Sequence, residues 1–167
     1  SNELASVASH KVAAVACMAG YTDEPLATNY SAIPVMEIHG LADQIVPYGS
    51  SFTTGVLLEE TLEGDEGAIQ NMYWWADANG CPGSVPDIET VEWDYTVKRF
   101  SGCTNGADVV LVTMNYAQHN PYINDYDGTD SPFYQAILTG NPTGIDASQM
   151  AWDLLSQHSK SIESNEG

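Results

Sequence analysis

Two short apolar runs, Pro34-Val35-Met36-Glu37-Ile38 and Val109-Val110-Leu111-Val112-Thr113-Met114, constrain the fold of this chain more than any other feature. Runs of this length, rich in branched aliphatic residues, fit strands buried inside a sheet that is covered by helices. Each leads into a loop that carries an ionisable side chain. The first passes straight into His39-Gly40-Leu41-Ala42-Asp43, which sets an acid just past a strand end. The second leads through a short loop to Gln118-His119. Open α/β sheets collect their ligands beyond the C-terminal ends of their strands, so both side chains are expected on that edge.

The rest of the chain alternates in the same way. Residues 2–10 read as the tail of a helix with Leu4, Val7 and Ala8 on one face. Residues 12–18 read as a parallel strand buried on both faces. A polar loop follows over 20–32, then a strand over 33–38, a turn region from Val46 to Ser51 and a partly helical stretch over 50–62. The clearest helix is 68–79, where Ile69, Met72, Tyr73 and Ala76 fall at helical spacing and Gly80 stops the run. Trp74 and Trp75 are adjacent and cannot share a face, so one is core and the other covers a loop. Residues 91–100 alternate like an exposed strand, with Val91, Trp93, Tyr95 and Val97 on one side. Residues 108–115 form a strand, and 120–141 a loop with one short helix over 133–138. Asp146-Ala147-Ser148-Gln149 is a capping box opening a final helix to about Lys160, which buries Met150, Leu154 and Ile162. Strands alternating with helices indicate an α/β layer fold, as one domain over 1–162 with a polar tail over 163–167.

Composition narrows the partners. The 23 acidic residues against four basic ones give a net charge of −19, which repels nucleic acid and anionic lipid surfaces. No apolar stretch has the length of a membrane span. Three cysteines allow one bridge and one spare. Cys81 and Cys103 sit in turn-like Asn-Gly-Cys and Ser-Gly-Cys contexts and are expected to pair, leaving Cys17 as a buried thiol. That bridge implies an oxidising compartment. Asn29-Tyr30-Ser31 is an N-glycosylation sequon, in keeping with secretion.

An imidazole that acts as a base needs an acid to fix its tautomer and to stabilise its protonated form. Asp43 suits the second role and His119 the first. His39 is read as a structural residue behind the acid, and His10 and His158 as solvated. No two histidines have metal-ligand spacing, so no metal is expected. The carboxylates of Asp125-Tyr126-Asp127-Gly128-Thr129-Asp130 fit a solvated turn better than a calcium loop. No glycine-rich phosphate loop is present, and no cofactor is expected.

These segments together resemble the C-terminal part of a family of secreted α/β-hydrolases that includes polyhydroxybutyrate depolymerases and feruloyl or acetylxylan esterases. The matching stretches are Lys11-Val12-Ala13-Ala14-Val15-Ala16 with Ala19-Gly20, and Pro34 to Asp43 with Val46-Pro47-Tyr48. Trp75-Ala76, Asn79-Gly80-Cys81, Gly102-Cys103, Gly106-Ala107-Asp108-Val109 and His119 follow in the family's order. The resemblance covers most of 11–119, and its His-Gly-x-x-Asp-x-x-Val-Pro-Tyr segment is the most specific part. It implies Asp43 as triad acid, His119 as triad base, a Cys81–Cys103 disulfide and a mostly parallel sheet flanked by helices. The family's Gly-x-Ser-x-Gly nucleophile segment does not occur in these residues. Ser1-Asn2 resembles the start of the family's Ser-Asn-Gly, with Glu3 replacing glycine, which makes Ser1 a candidate nucleophile. Asn120-Pro121 stands where the family carries Trp-Pro.

Two expectations follow from different classes. The first is a serine esterase acting on acyl esters of a polysaccharide or polyester, with the nucleophile-bearing N-terminal half missing from this chain and supplied by a complementing fragment. The second is a non-catalytic secreted protein that uses the same scaffold for binding or self-assembly.

Overall fold

A computed structural model of the protein describes residues 1–22, 26–43, 45–49, 67–115, 117–119 and 145–160. The stretches expected as a partly helical 50–62 and as a short helix over 133–138 lie outside the described residues. So do the acidic turn 125–130, Ile162 and the tail 163–167.

Among the described residues five strands make one sheet: β1 (Val15–Met18), β2 (Val35–Gly40), β3 (Ile88–Val91), β4 (Tyr95–Phe100) and β5 (Val109–Met114), in the order β1-β2-β5-β4-β3. β2 pairs in parallel with β1 and β5, whereas β4 pairs antiparallel with both β5 and β3. Among the described residues three α-helices accompany it: α1 (Asn2–Ala8), α2 (Ala68–Ala78) and α3 (Ala147–Leu155).

This arrangement corrects the expected fold. The sheet is mixed, and the C-terminal portion of an α/β-hydrolase fold, with its mostly parallel sheet flanked by helices, is not what forms. The cause is local. Residues 91–100 do not form one strand: the chain turns at Glu92, Trp93 and Asp94, and the Glu92 N–H bonds back to the Tyr95 carbonyl at 2.8 Å. A turn that short can join only antiparallel neighbours. The connection 101–108 is likewise shorter than the dozen or so residues that a parallel crossover needs. It carries a short 3₁₀ turn (Thr104–Gly106) and the Cys81–Cys103 disulfide, so β4 returns directly beside β5.

Alternation along β2 and β5 divides the core. Val35, Leu111 and Val109 face α2 with Met72, Trp75 and Ala76, while Met36, Ile38, Val110, Val112 and Met114 face α3 with Ala147, Ala151 and Leu154. Trp75 is fully buried, as expected for one of the pair, and Trp74 packs partly buried against the same core, edge-on to Trp75 with ring centroids 4.8 Å apart.

Three further expectations change. β1 is an edge strand in which only Val15 is fully buried, rather than a strand buried on both faces. α3 ends at Leu155, short of Lys160. Its N-cap Asp146 accepts the Gln149 N–H at 3.0 Å, but the Gln149 side chain turns to Asp153 instead of closing a capping box. In α1 the buried face is Asn2, Ala5 and Ser6, while Leu4 and Val7 are exposed. The polar face turns inward because it satisfies loop backbone. Ser6 Oγ accepts the Ala27 N–H, Ser9 Oγ accepts the Ser31 N–H, and Asn2 Nδ2 donates to the Gly20 carbonyl.

Asn79, at the end of α2, ties the opposite end of the sheet together. Its Nδ2 donates to the carbonyls of Ile33 at 2.9 Å and Ala107 at 2.8 Å, the residues that precede β2 and β5. Its Oδ1 accepts the Tyr30 hydroxyl. Two residues later the Cys81–Cys103 bridge secures the same corner, leaving Cys17 as the free cysteine.

Candidate active site

Because β1, β2 and β5 run parallel, the loops that follow them leave the sheet at one edge. Asp43 comes from the loop after β2 and His119 from the loop after β5. Their side chains meet there, with His119 Nδ1 2.9 Å from Asp43 Oδ2. Asp43 is 1% exposed, whereas the His119 side chain is 26% exposed. A buried acid thus holds one nitrogen of a ring that reaches solvent, and Nε2 is left as the nitrogen for a reacting group.

Gly40 makes this approach possible. A Cβ there would collide with the carbonyl oxygens of Ala117 and Gln118, the latter at 2.5 Å. The His119 loop therefore lies directly on the end of β2. Leu41 N–H to the Met114 carbonyl at 3.0 Å and Ala42 N–H to the Ala117 carbonyl at 3.1 Å join the two loops.

The acid is fixed from both sides. Asp43 Oδ1 accepts the N–H groups of Ile45 at 2.8 Å and Val46 at 2.9 Å, an Asx-type turn. Oδ2 faces His119 and also lies 3.5 Å from His39 Nε2. Burial alone would raise the Asp43 pKa, but the hydrogen bonds from His39, His119 and the two amides outweigh it and bring it down to about 2.

Behind the acid stands a buried polar group of His39, Glu37 and Asn71. His39, read only as structural, is fully buried, with Nδ1 2.8 Å from Glu37 Oε1 and Nε2 2.8 Å from the Val46 carbonyl. Glu37 is 2% exposed, and its Oε2 accepts Asn71 Nδ2 of α2 at 2.5 Å. Burial opposes a charge on His39, yet the bonds to Asp43, Glu37 and Val46 carry its pKa up to about 9; burial raises that of Glu37. Both shifts retain the one proton between Nδ1 and Oε1. The sequence signal was a lone Glu in an apolar strand, two residues before a His and so on the same face.

A stability prediction follows from these shifts. The depressed Asp43 pKa contributes stability that is present above its unfolded value near 3.8 and is lost as pH falls toward 2, worth about 2 kcal/mol. The His39–Glu37 proton, counted once, contributes stability that is present below the unfolded His value of 6.5 and is lost as pH rises through about 9. The urea midpoint is therefore expected to be higher near pH 6 than at pH 3 or pH 9.5. A midpoint still rising between pH 7 and 9.5 would contradict this assignment.

Other candidates fall elsewhere. Ser1 precedes α1 and lines a cavity of about 530 Å³ with Glu3, Cys17, Tyr21 and Thr22, and His119 is not among the residues lining it. Asn29 is exposed in a turn, open to glycosylation. His10 is exposed and His158 half-buried. Among the described residues no cluster of His, Cys, Asp and Glu could hold a metal ion, and no helix is long and apolar enough to cross a membrane.

No family model matches the chain, and no curated protein matches it.

Proposed function

We propose that this protein is a secreted serine-type esterase in which Asp43 and His119 serve as acid and base. The observation that carries the reading is the 2.9 Å bond between a buried carboxylate and one nitrogen of a partly exposed imidazole. In the proposed reaction His119 Nε2 takes the proton of a serine hydroxyl as its oxygen attacks an ester carbonyl, and the alkoxide leaves with that proton. Water then releases the acid by the same route in reverse. Asp43 orients the ring and balances the imidazolium that forms. The resemblance of the segments around Asp43, Cys81, Cys103 and His119 to secreted esterases supports this reading, as does the disulfide it implied.

The nucleophile in this proposal is a serine of a complementing N-terminal fragment, since Ser1 lines a cavity that His119 does not reach. The substrate is an acyl ester on a polysaccharide or polyester. Such a neutral polymer suits a surface of net charge −19, which disfavours nucleic acid and anionic membranes. The native protein should release acetate or ferulate from acylated xylan, or a hydroxy acid from polyester. Absence of hydrolysis of both polymers and of a nitrophenyl ester would exclude the proposal.

A second reading, binding or self-assembly without catalysis, draws on one feature. The edge strand β3 is exposed at all four residues, Val91 at its end by 60%, and Trp93 just beyond it is 67% exposed. Open edges of this kind accept further strands. Concentration-dependent association, lost with Val91→Lys, is the result expected on that reading.

A further inference from the structure

We propose that His39, clamped by Glu37 and Asn71, is a positioning residue for the Asp43–His119 couple. Held as a buried imidazolium, it takes a share of the same Asp43 oxygen that His119 uses and fixes where that oxygen sits. The inference rests on the reading of Asp43 and His119 as a working pair.

Hydrogen-bond logic carries most of the argument. The Val46 carbonyl can only accept, so His39 Nε2 must bear a hydrogen. Nδ1 lies 2.8 Å from Glu37 Oε1, and one proton occupies that contact. Its place is decided by the far side of the ring, where the Asp43 carboxylate lies 3.5 Å from Nε2. An anion there favours charge on the imidazole over a neutral imidazole facing a carboxylic acid. Asn71 Nδ2 donates to Glu37 Oε2, which favours the carboxylate as well. With the proton on the ring, Glu37, His39, Asp43 and His119 form an unbroken row of alternating negative and positive groups whenever His119 is protonated.

Packing alone does not account for this row. A buried ion pair is often replaceable by apolar residues without loss of stability, and β2 is otherwise apolar on its buried faces. Among the described residues the remaining neighbours of His39 add no competing charge. Tyr21 stacks on the ring at 5.9 Å and Tyr48 meets it edge-on at 5.7 Å. Cys17 lies opposite Glu37 in the β1–β2 register, and Thr113 of β5 lies opposite His39. Burial pushes the Cys17 thiol and the Tyr48 hydroxyl up, so both stay neutral near pH 7. From α2 the polar group that reaches this cluster is Asn71.

Two measurements test the proposal. Nitrogen NMR of the ¹⁵N-labelled 167-residue chain at pH 7 should show both ring nitrogens of His39 protonated; one bare ring nitrogen overturns the proposal. The double variant Glu37→Gln/His39→Gln keeps amides in place of both charges and removes the imidazolium that stands next to Asp43. The acid limb of its kcat/KM–pH profile should move upward by about half a unit, because a neighbouring cation has gone together with its own, more distant counter-ion. A folded double variant whose acid limb stays in place overturns the proposal, since a merely structural role moves Tm and leaves the profile where it was. If the double variant does not fold, the ring spectrum of the unaltered chain decides alone. Failure of the esterase reading looks different: the unaltered protein then hydrolyses no ester, or Asp43→Asn hydrolyses it undiminished, while the state of the His39 ring is still read directly.

Discussion

Asp43→Asn is expected to lower ester hydrolysis by about 10⁴-fold with the fold retained, the loss that removing the acid's charge causes in a Ser-His-Asp site. The geometry explains the size of the effect. An Asn side chain can keep its oxygen on the Ile45 and Val46 amides, where Asp43 Oδ1 now accepts at 2.8 and 2.9 Å. Its amino group then replaces Oδ2 opposite His119 Nδ1. A donor at that point forces Nδ1 to accept, places the ring hydrogen on Nε2, and leaves no lone pair there to take a proton from serine. His119→Ala should cost about as much. Initial rates on nitrophenyl acetate, with near-ultraviolet circular dichroism as the check on folding, measure both. Losses under tenfold would remove the pair from the mechanism.

The second large effect concerns stability. Replacing both Cys81 and Cys103 by alanine should lower unfolding free energy by about 3 kcal/mol, as expected for a bridge closing a loop of this size. The bridge spans 22 positions and links the end of α2 to the turn between β4 and β5. Opening it frees the antiparallel half of the sheet, whose other anchors at this corner are Asn79 and the Thr104 N–H bond to its carbonyl at 3.0 Å. For a chain of this size the change corresponds to a Tm lower by about 10 °C. Calorimetry of the double alanine variant checks it, and a shift under 2 °C would mean that the hydrogen bonds around Asn79 hold the corner alone. The bridge is compatible with the secreted location proposed above.

Residue by residue, legibility followed the range of the interactions. β2 and β5 announced themselves because a central strand must be apolar on both faces, and α2 because its apolar spacing ends at a glycine. The approach of Asp43 to His119 was legible for the same reason: two parallel strands release their loops at one edge. The sheet's antiparallel half was not. Alternation over 91–100 reports exposure on one face but says nothing of direction, and a turn at Glu92–Asp94 lacks the glycine or Asn-Gly signal that marks hairpins. α1 was misjudged because Ser6 and Ser9 face inward to serve loop amides that are distant in sequence, a reward that periodicity cannot register. Glu37 was read through as part of an apolar run. Its partners, His39 two residues on and Asn71 on another element, make it intelligible only in three dimensions.

The most direct test of the central claim, that His119 and Asp43 activate a serine, is covalent labelling of the native protein with a fluorophosphonate followed by peptide mapping. The account predicts stoichiometric modification of a single serine, abolished in His119→Ala while the variant remains folded. An unlabelled protein, or labelling that persists unchanged without the imidazole, would contradict it.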